Sequence, residues 1–165
     1  MRLFIALTFE EEFLREIEKN IKDIKKKFPG KWIPRENWHL TLAFLGENYK
    51  KEKIIDFLRK NFSNFEFKFL ITQKIDWAPP GKIARMVWLY FRRENFEFFE
   101  KIFKEFKVEN FLPHINLLRF KPRNKNNLFK IEKKIQIETK PKDLVLFNSV
   151  LKKPFAEYEK IYNLK

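Results

Sequence analysis

The chain has 165 residues, with 36 Lys and Arg against 22 Asp and Glu, a formal net charge of +14, and no Cys. This length fits one domain with a substantial core, and the lack of Cys excludes disulfides, thiolate nucleophiles and Cys-based zinc sites. Its three Gly are too scattered for a P-loop or a G-x-G-x-x-G loop, so nucleotide binding through those loops is excluded. The positive charge favours an anionic partner such as nucleic acid, although a lysine-rich source composition would produce the same charge.

The first half of the chain predicts strands and helices in alternation. Apolar residues run together or alternate in the predicted strands and recur at helical spacing in the helices. In order, the pattern predicts a strand at 2–8, a helix ended by Pro29-Gly30, a strand at 38–45, a helix at 51–61 and a strand at 65–71. Thr8 and Glu11 have the spacing of a capping box at the start of the first helix.

The second half repeats this order after a turn at Pro79-Pro80-Gly81, the predicted boundary. The pattern predicts a strand at 84–91, a helix at 95–106, a strand at 113–120, a flexible basic surface loop at 122–127, and strands at 135–138 and 144–151. Strand, long helix and strand therefore occur twice, with equivalent strands roughly 75 residues apart.

This repeat predicts an α+β fold with two pseudo-symmetric lobes, because neither half can easily bury its sheet alone. Each lobe is expected to be an antiparallel sheet with helices on its outer face, and a cleft is expected between the lobes. We expect residues 1–165 to form a single two-lobed domain, with interleaved lobes and approximate halves at 1–80 and 81–165.

The N-terminal apolar run is too short for a signal peptide, since three Glu follow it at 10–12. No apolar run reaches the length of a membrane span. We therefore expect a cytoplasmic protein with no membrane partner, acting as a monomer.

The two histidines of the chain fall on equivalent strands of the repeat. Side chains alternate across a strand, so His39 and Thr41 share one face, and His114 and Asn116 share one face of the second strand. The opposite, core-facing side chains are then those of Leu40, Leu42, Phe44, Ile115 and Leu117. Each lobe therefore offers one imidazole and one short hydrogen-bonding side chain to the cleft.

Two imidazoles on opposite sides of a phosphorus atom can act as base and acid in an in-line displacement, since imidazole titrates near neutrality. Thr and Asn can donate hydrogen bonds to the non-bridging phosphate oxygens. Two alternatives remain: histidines that are merely packed, and a two-histidine metal site, although the spacings H-x-H and H-E-x-x-H are absent.

Two segments, ENWHLTLAFLG at 36–46 and FLPHINLLR at 111–119, resemble the motifs of the two-histidine phosphoesterases, in which H-x-[ST]-x occurs twice. Within these enzymes the chain is similar to the RNA 2′,3′-cyclic phosphodiesterases, historically called 2′-5′ RNA ligases. The first strand and the segment 146–151 with Tyr158 also resemble this family, so the similarity covers essentially the whole chain.

The resemblance implies hydrolysis of a terminal 2′,3′-cyclic phosphate of RNA to a 2′-phosphomonoester, with no metal, ATP or other cofactor. It implies that His39 is the proton donor to the leaving ribose oxygen and His114 the proton acceptor that activates water. Thr41, Asn116 and Arg119 would bind the phosphate, although Asn116 replaces the Thr or Ser of the family. Simple alternation puts Arg119 on the face opposite His114, so it needs a β-bulge or its own length to reach the phosphate, or it is a structural or surface residue.

Two other functions remain possible at this stage. The first is ATP-independent 2′-5′ RNA ligation, the reverse reaction of the family. The second is a basic RNA-binding module without turnover. Trp77 and Trp88 flank the entry to the second lobe, where they would either stack on unpaired bases or belong to the core.

Overall fold

A computed structural model describes residues 1–124 and 128–164 of the protein. The helices of this part are α1 (Glu11–Lys27), α2 (Lys51–Phe62) and α3 (Glu100–Glu105), with 3-10 turns at Arg35–Asn37 and Glu97–Phe99. The strands are β1 (Leu3–Phe9), β2 (Leu40–Gly46), β3 (Leu70–Ala78), β4 (Ala84–Phe91), β5 (His114–Arg123), β6 (Lys133–Lys134), β7 (Glu138–Thr139), β8 (Pro141–Val150) and β9 (Glu157–Asn163).

The described strands form one sheet in the order β6-β3-β4-β5-β2-β1-β8-β9, and β7 pairs with β3. The pairings are antiparallel, and β2 meets β5 at a single residue pair, Leu40 opposite Ile115. This narrow junction separates a first half-sheet (β2, β1, β8, β9) from a second half-sheet (β6, β3, β4, β5). The predicted α+β fold of two antiparallel lobes is confirmed.

One face of the sheet is covered by helices and holds the main core. Ile17 and Ile21 of α1 lie fully buried in one cluster with Ile5 and Leu7 of β1. Residues four apart in a helix and two apart in a strand lie on the same face, so both pairs point into the core. The opposite face, which we call the open face, has two smaller clusters. They are Phe4, Ala6, Val145 and Phe147 in the first half-sheet, and Ala78, Met86, Trp88 and Tyr90 in the second.

The chain exchanges strands between its two halves. β3 precedes the predicted boundary but pairs with β4, and the C-terminal strands β8 and β9 extend the half-sheet of β1. The turn at Pro79-Pro80-Gly81 therefore joins neighbouring strands of the second half-sheet, so the two half-sheets do not divide there.

The pairs β1–β2 and β4–β5 have the same register and the same irregularity. Ala6 lies opposite Thr41 as Trp88 lies opposite Asn116, and a β-bulge follows each of these pairs. The further equivalent pairs are Leu7–Leu40 with Leu89–Ile115, Ile5–Ala43 with Val87–Leu118, and Phe4–Phe44 with Met86–Arg119. A pseudo-twofold axis therefore passes through the sheet at the Leu40–Ile115 pair and relates His39 to His114.

Several local predictions in the first half were wrong. The capping box does not form: β1 continues to Phe9, Glu10 is the N-cap of α1, and the helix start has no side-chain cap. The strand predicted at 65–71 begins only at Leu70. The rings of Phe65 and Phe67 pack together with centroids 4.7 Å apart, but residues 65–69 do not join the sheet.

Three differences concern the second half. The helix predicted at 95–106 is reduced to the 3-10 turn and α3, and β9 was not predicted because charged residues alternate along this edge strand. The strand predicted at 135–138 is interrupted because the Thr72 hydroxyl donates to Ile135 O and accepts from Ile137 N, each at 2.8 Å. In the loop predicted at 122–127, β5 continues to Arg123, and residues 125–127 lie outside the described residues. None of the described helices is long and apolar enough to cross a membrane.

Candidate active site

The sheet brings the four predicted histidine-motif side chains together on the open face. His39 immediately precedes β2, and His114 begins β5. In the antiparallel register set by Leu40 and Ile115, His39 lies beside Asn116, and Thr41 lies beside His114. The two histidines therefore lie diagonally across the pseudo-twofold axis, each with a polar neighbour from the other half-sheet.

Each imidazole is oriented by a hydrogen bond of the same type, from Nδ1 to a backbone carbonyl two residues earlier in the chain. Nδ1 of His39 lies 2.7 Å from Asn37 O, and Nδ1 of His114 lies 2.6 Å from Leu112 O. A carbonyl oxygen only accepts, so in both rings Nδ1 carries the hydrogen and donates it. Nε2 is then the nitrogen of each histidine that can exchange a proton with a ligand.

The rings packed against the histidines differ. His39 contacts Phe4 at a centroid distance of 5.1 Å and Tyr158 at 4.9 Å, with the Tyr158 ring nearly perpendicular. His114 stacks on Trp88 at 3.6 Å with an angle of 13° between the planes. These contacts leave both histidines half-buried.

Burial controls the titration of both histidines. It lowers the pKa of His39 to about 4, against the hydrogen bond to Asn37 O, and a positive charge on His114 lowers this pKa further. Burial also lowers the pKa of His114, against the hydrogen bond to Leu112 O. Both rings are therefore neutral at pH 7 in the free protein, and a bound phosphate anion would favour protonation.

Asn116 has an amide oxygen that is buried and finds no hydrogen-bond partner among the described residues. Its cross-strand neighbour is Trp88, whose only hydrogen-bond donor in the side chain is the indole N–H. The indole N–H is directed to Met86 Sδ, 3.4 Å away. The amide oxygen of Asn116 therefore makes no hydrogen bond that stabilises the fold in the described part of the chain.

The two β-bulges change which side chains reach the open face. Beyond each bulge the alternation is shifted by one residue, so Arg119 lies opposite Met86 and Phe44 lies opposite Phe4. The bulge in β5 therefore places Arg119 on the same face of the sheet as His114. Its charge also reaches Tyr158: burial raises the pKa of the Tyr158 hydroxyl, and the charge of Arg119 opposes this rise.

The prediction that Phe44 belongs to the core was wrong for the same reason. Its side chain is 79% exposed and its ring lies 6.1 Å from that of Phe4 on the open face. Simple alternation failed because Leu42 and Ala43 are both buried on the helix-covered face across the bulge. Phe44 and Arg119 are therefore pseudo-twofold equivalents that differ in chemistry.

Residue-by-residue reasoning named Trp88 and Tyr158 but missed Phe4, whose ring packs against His39. Trp88, which was expected either to stack on unpaired bases or to belong to the core, is buried on the open face with Met86 and Tyr90. Trp77 does not reach the open face, because it lies in the main core and donates from Nε1 to Phe129 O at 2.8 Å. In residues 1–124 and 128–164, no three His, Asp or Glu side chains are grouped so that they could share a metal ion.

Comparison with known proteins finds relatives of this chain in one family of phosphoesterases. The family model for LigT-like phosphoesterases matches residues 8–73. An RNA 2′,3′-cyclic phosphodiesterase of Methanocaldococcus jannaschii is 30% identical, with 98% of each chain covered. An enzyme of the same name from Thermotoga maritima is 29% identical over 73% of this chain and 71% of the relative.

Solved structures show the same fold at lower sequence identity. A protein of Thermus thermophilus covers 99% of this chain and 96% of its own, with a TM-score of 0.71 at 23% identity. Escherichia coli LigT complexed with 3′-AMP covers 98% of this chain and 95% of its own, with a TM-score of 0.70 at 23% identity. The full-length sequence similarity to the Methanocaldococcus jannaschii enzyme shows that the chain belongs to the LigT-like two-histidine phosphoesterases, the family of the RNA 2′,3′-cyclic phosphodiesterases.

Proposed function

We propose that the protein hydrolyses the 2′,3′-cyclic phosphate at the 3′ end of RNA to a 2′-phosphomonoester, using its two histidines and no metal ion. The observation that carries this proposal is the matched pair of imidazoles on the open face. Each has Nδ1 fixed by a carbonyl, and the pseudo-twofold axis relates the two rings. A phosphorus atom bound at this axis would have one Nε2 on each side.

The reaction needs one proton acceptor and one proton donor. His114 Nε2 takes a proton from the attacking water as the new P–O bond forms, and protonated His39 gives its Nε2 proton to O3′ as the P–O3′ bond breaks. The product keeps the phosphate on O2′. The division of the two roles follows the family resemblance, since the pseudo-symmetric geometry suits either direction.

Three side chains are suited to hold the phosphate oxygens. Thr41 and Asn116 occupy pseudo-twofold equivalent positions and can each donate to a non-bridging oxygen. Arg119, brought to the open face by its bulge, adds a positive charge against the developing negative charge. The backbone positions of all three residues lie on paired strands.

An RNA substrate is supported by charge and by one exposed ring. The formal net charge of +14 attracts a polyanion. Phe44 presents its exposed ring on the face of Thr41, where an unpaired base can stack. The two curated relatives are also named for RNA 2′,3′-cyclic phosphodiesterase activity.

The test is incubation of the purified protein with an oligoribonucleotide that ends in a 2′,3′-cyclic phosphate, in the presence of EDTA. We expect ring opening to a 2′-phosphate, identified by phosphorus NMR, and a loss of on the order of 10²-fold or more in His39→Ala and His114→Ala. Joined strands would indicate ligation, and binding without product would indicate an RNA-binding module. Loss of activity in EDTA that zinc or manganese restores would show that the histidines are metal ligands.

A further inference from the structure

The contact between Trp88 and His114 is a parallel stack of two flat rings. The centroids are 3.6 Å apart and the planes differ by 13°. At the other histidine, the ring of Phe4 comes nearest to a parallel stack, with its centroid 5.1 Å from that of His39 and a tilt of 37°. One face of the His114 imidazole is therefore covered by an indole, whereas no ring in residues 1–124 and 128–164 stacks on His39 in this way.

The pseudo-twofold axis shows that this difference is built into equivalent positions. Trp88 lies opposite Asn116 in the pair β4–β5, and Ala6 lies opposite Thr41 in the pair β1–β2. The backbone frame is the same on both sides, including the bulges. A large indole in one half-sheet thus corresponds to a methyl group in the other, and the two histidines are made chemically unequal.

The indole is held firmly in this position. Trp88 is only 7% exposed, and its Nε1–H is directed to Met86 Sδ at 3.4 Å. The ring of Tyr90 packs against the indole at a centroid distance of 5.4 Å. The Tyr90 hydroxyl donates to Trp77 O at 3.0 Å, so the support itself is anchored to the neighbouring strand.

We propose that Trp88 is a positioning residue for His114: its indole face fixes the plane of the imidazole and stabilises the imidazolium that forms when His114 accepts a proton. The catalytic role of His114 in this statement rests on the function proposed above, but the effect on its protonation does not. An indole is the aromatic face that attracts cations most strongly, so the stack favours the charged ring over the neutral one. Ala6 provides His39 with no such face, so the stack makes His114 the better base of the pair.

The titratable and charged groups around His114 are the same in the variants that test this proposal. His39 lies across the axis on the β2 side, and its charge repels that of His114. The other groups on neighbouring strands are Tyr90 on β4, Lys74 and Asp76 on β3, and Arg119 on β5. A cavity of about 490 Å³ that Pro113 borders is also lined by Arg92, Arg93 and Glu94. Replacing Trp88 by an apolar residue changes none of these charges, so a changed pKa of His114 reports on the indole.

The experiment is an NMR titration of the full chain, whose two histidines produce one Hε1 signal each. His39→Gln assigns them. Trp88→Leu keeps an apolar cover over His114 but removes the π face, and we expect the pKa of His114 to fall by about half a pH unit. Trp88→Phe should give an intermediate value. Trp88→Ala is unsuitable, because water entering the cavity would raise the pKa by hydration.

The matched control is Trp77→Leu, which removes a buried indole from the main core and should leave the pKa of His114 unchanged. An unchanged or raised pKa in folded Trp88→Leu would overturn the proposal. If Trp88→Leu does not fold, the same criterion applies to Trp88→Phe alone. In the cyclic phosphate assay, the alkaline limb of the kcat/KM profile follows the more basic imidazole of the pair, so it should move to lower pH with the His114 signal. If the pKa of His114 falls as expected but the protein does not hydrolyse the cyclic phosphate, the effect of Trp88 on His114 is supported and the proposed function is rejected.

Discussion

At the scale of single residues, Asn116 is where the chain departs from the H-x-[ST]-x pattern. Its amide oxygen has no described partner, so the fold does not require this side chain as an acceptor. If the amide donates to the phosphate, Asn116→Ala removes a charge-assisted hydrogen bond of roughly 1.5–3 kcal/mol. We expect kcat/KM to fall by about 10- to 150-fold. Measurement of kcat/KM and Tm on the same preparation tests this.

Two further variants at this position complete the test. Asn116→Thr keeps a donor on the open face and should retain most of the activity, whereas Asn116→Asp should be worse than Ala because its carboxylate repels the phosphate. A lowered Tm with unchanged kcat/KM in Asn116→Ala would show that the amide serves the fold only.

Phe44 allows a second prediction, because its ring is exposed beside Thr41 on the open face. A stacked base contributes about 1–3 kcal/mol, so Phe44→Ala should lower kcat/KM for an oligonucleotide cyclic phosphate by about 5- to 150-fold. It should leave hydrolysis of glycerol 1,2-cyclic phosphate, which has no base, unchanged. The control is Leu151→Ala, another large apolar side chain that is 73% exposed. An equal loss on both substrates would mean that Phe44 acts on the phosphate site rather than on the base.

At the scale of elements, the sequence predicted the histidine strands well but could not show their bulges. His39 with Thr41 and His114 with Asn116 were correctly placed on one face. Beyond Thr41 and Asn116, the alternation of buried residues gave the wrong face for Phe44. A bulge adds one residue to a strand, and here the added residues are Leu42 and Leu117, which look like ordinary core positions in a sequence.

Thr72 decides the shape of another element, the segment between β6 and β7. Its buried hydroxyl bonds both Ile135 O and Ile137 N at 2.8 Å, where a continuous strand would pair through its backbone. Thr72→Val would leave two buried backbone groups without partners and should lower the free energy of unfolding by about 1–3 kcal/mol. Urea unfolding measures this. The control Thr139→Val should cost less, since its hydroxyl makes only a 3.5 Å contact with Lys140 O.

At the scale of the whole molecule, the repeat in the sequence is a true pseudo-twofold of the sheet, but strand exchange was beyond sequence reasoning. Alternation predicts which residues share a face, whereas pairing of β3 with β4 and of β8 with β1 depends on contacts between distant segments. The symmetry explains why the two histidines meet. The differences between equivalent positions, Trp88 with Ala6 and Arg119 with Phe44, then make the two sides of the site chemically different.

The same architecture sets the pH dependence expected of the enzyme. The proposed mechanism requires one neutral and one protonated imidazole, and burial lowers the pKa of both histidines below 6.5, that of His39 to about 4. As pH rises above the higher of the two pKa values, the singly protonated pair of the free protein declines about tenfold per unit. We therefore expect a bell-shaped kcat/KM profile with its maximum below pH 6.5, measured at constant ionic strength on an oligonucleotide cyclic phosphate. The profile of kcat should lie at higher pH, because the bound phosphate anion favours the imidazolium. A kcat/KM maximum at or above about pH 7.5 would contradict a burial-controlled pair.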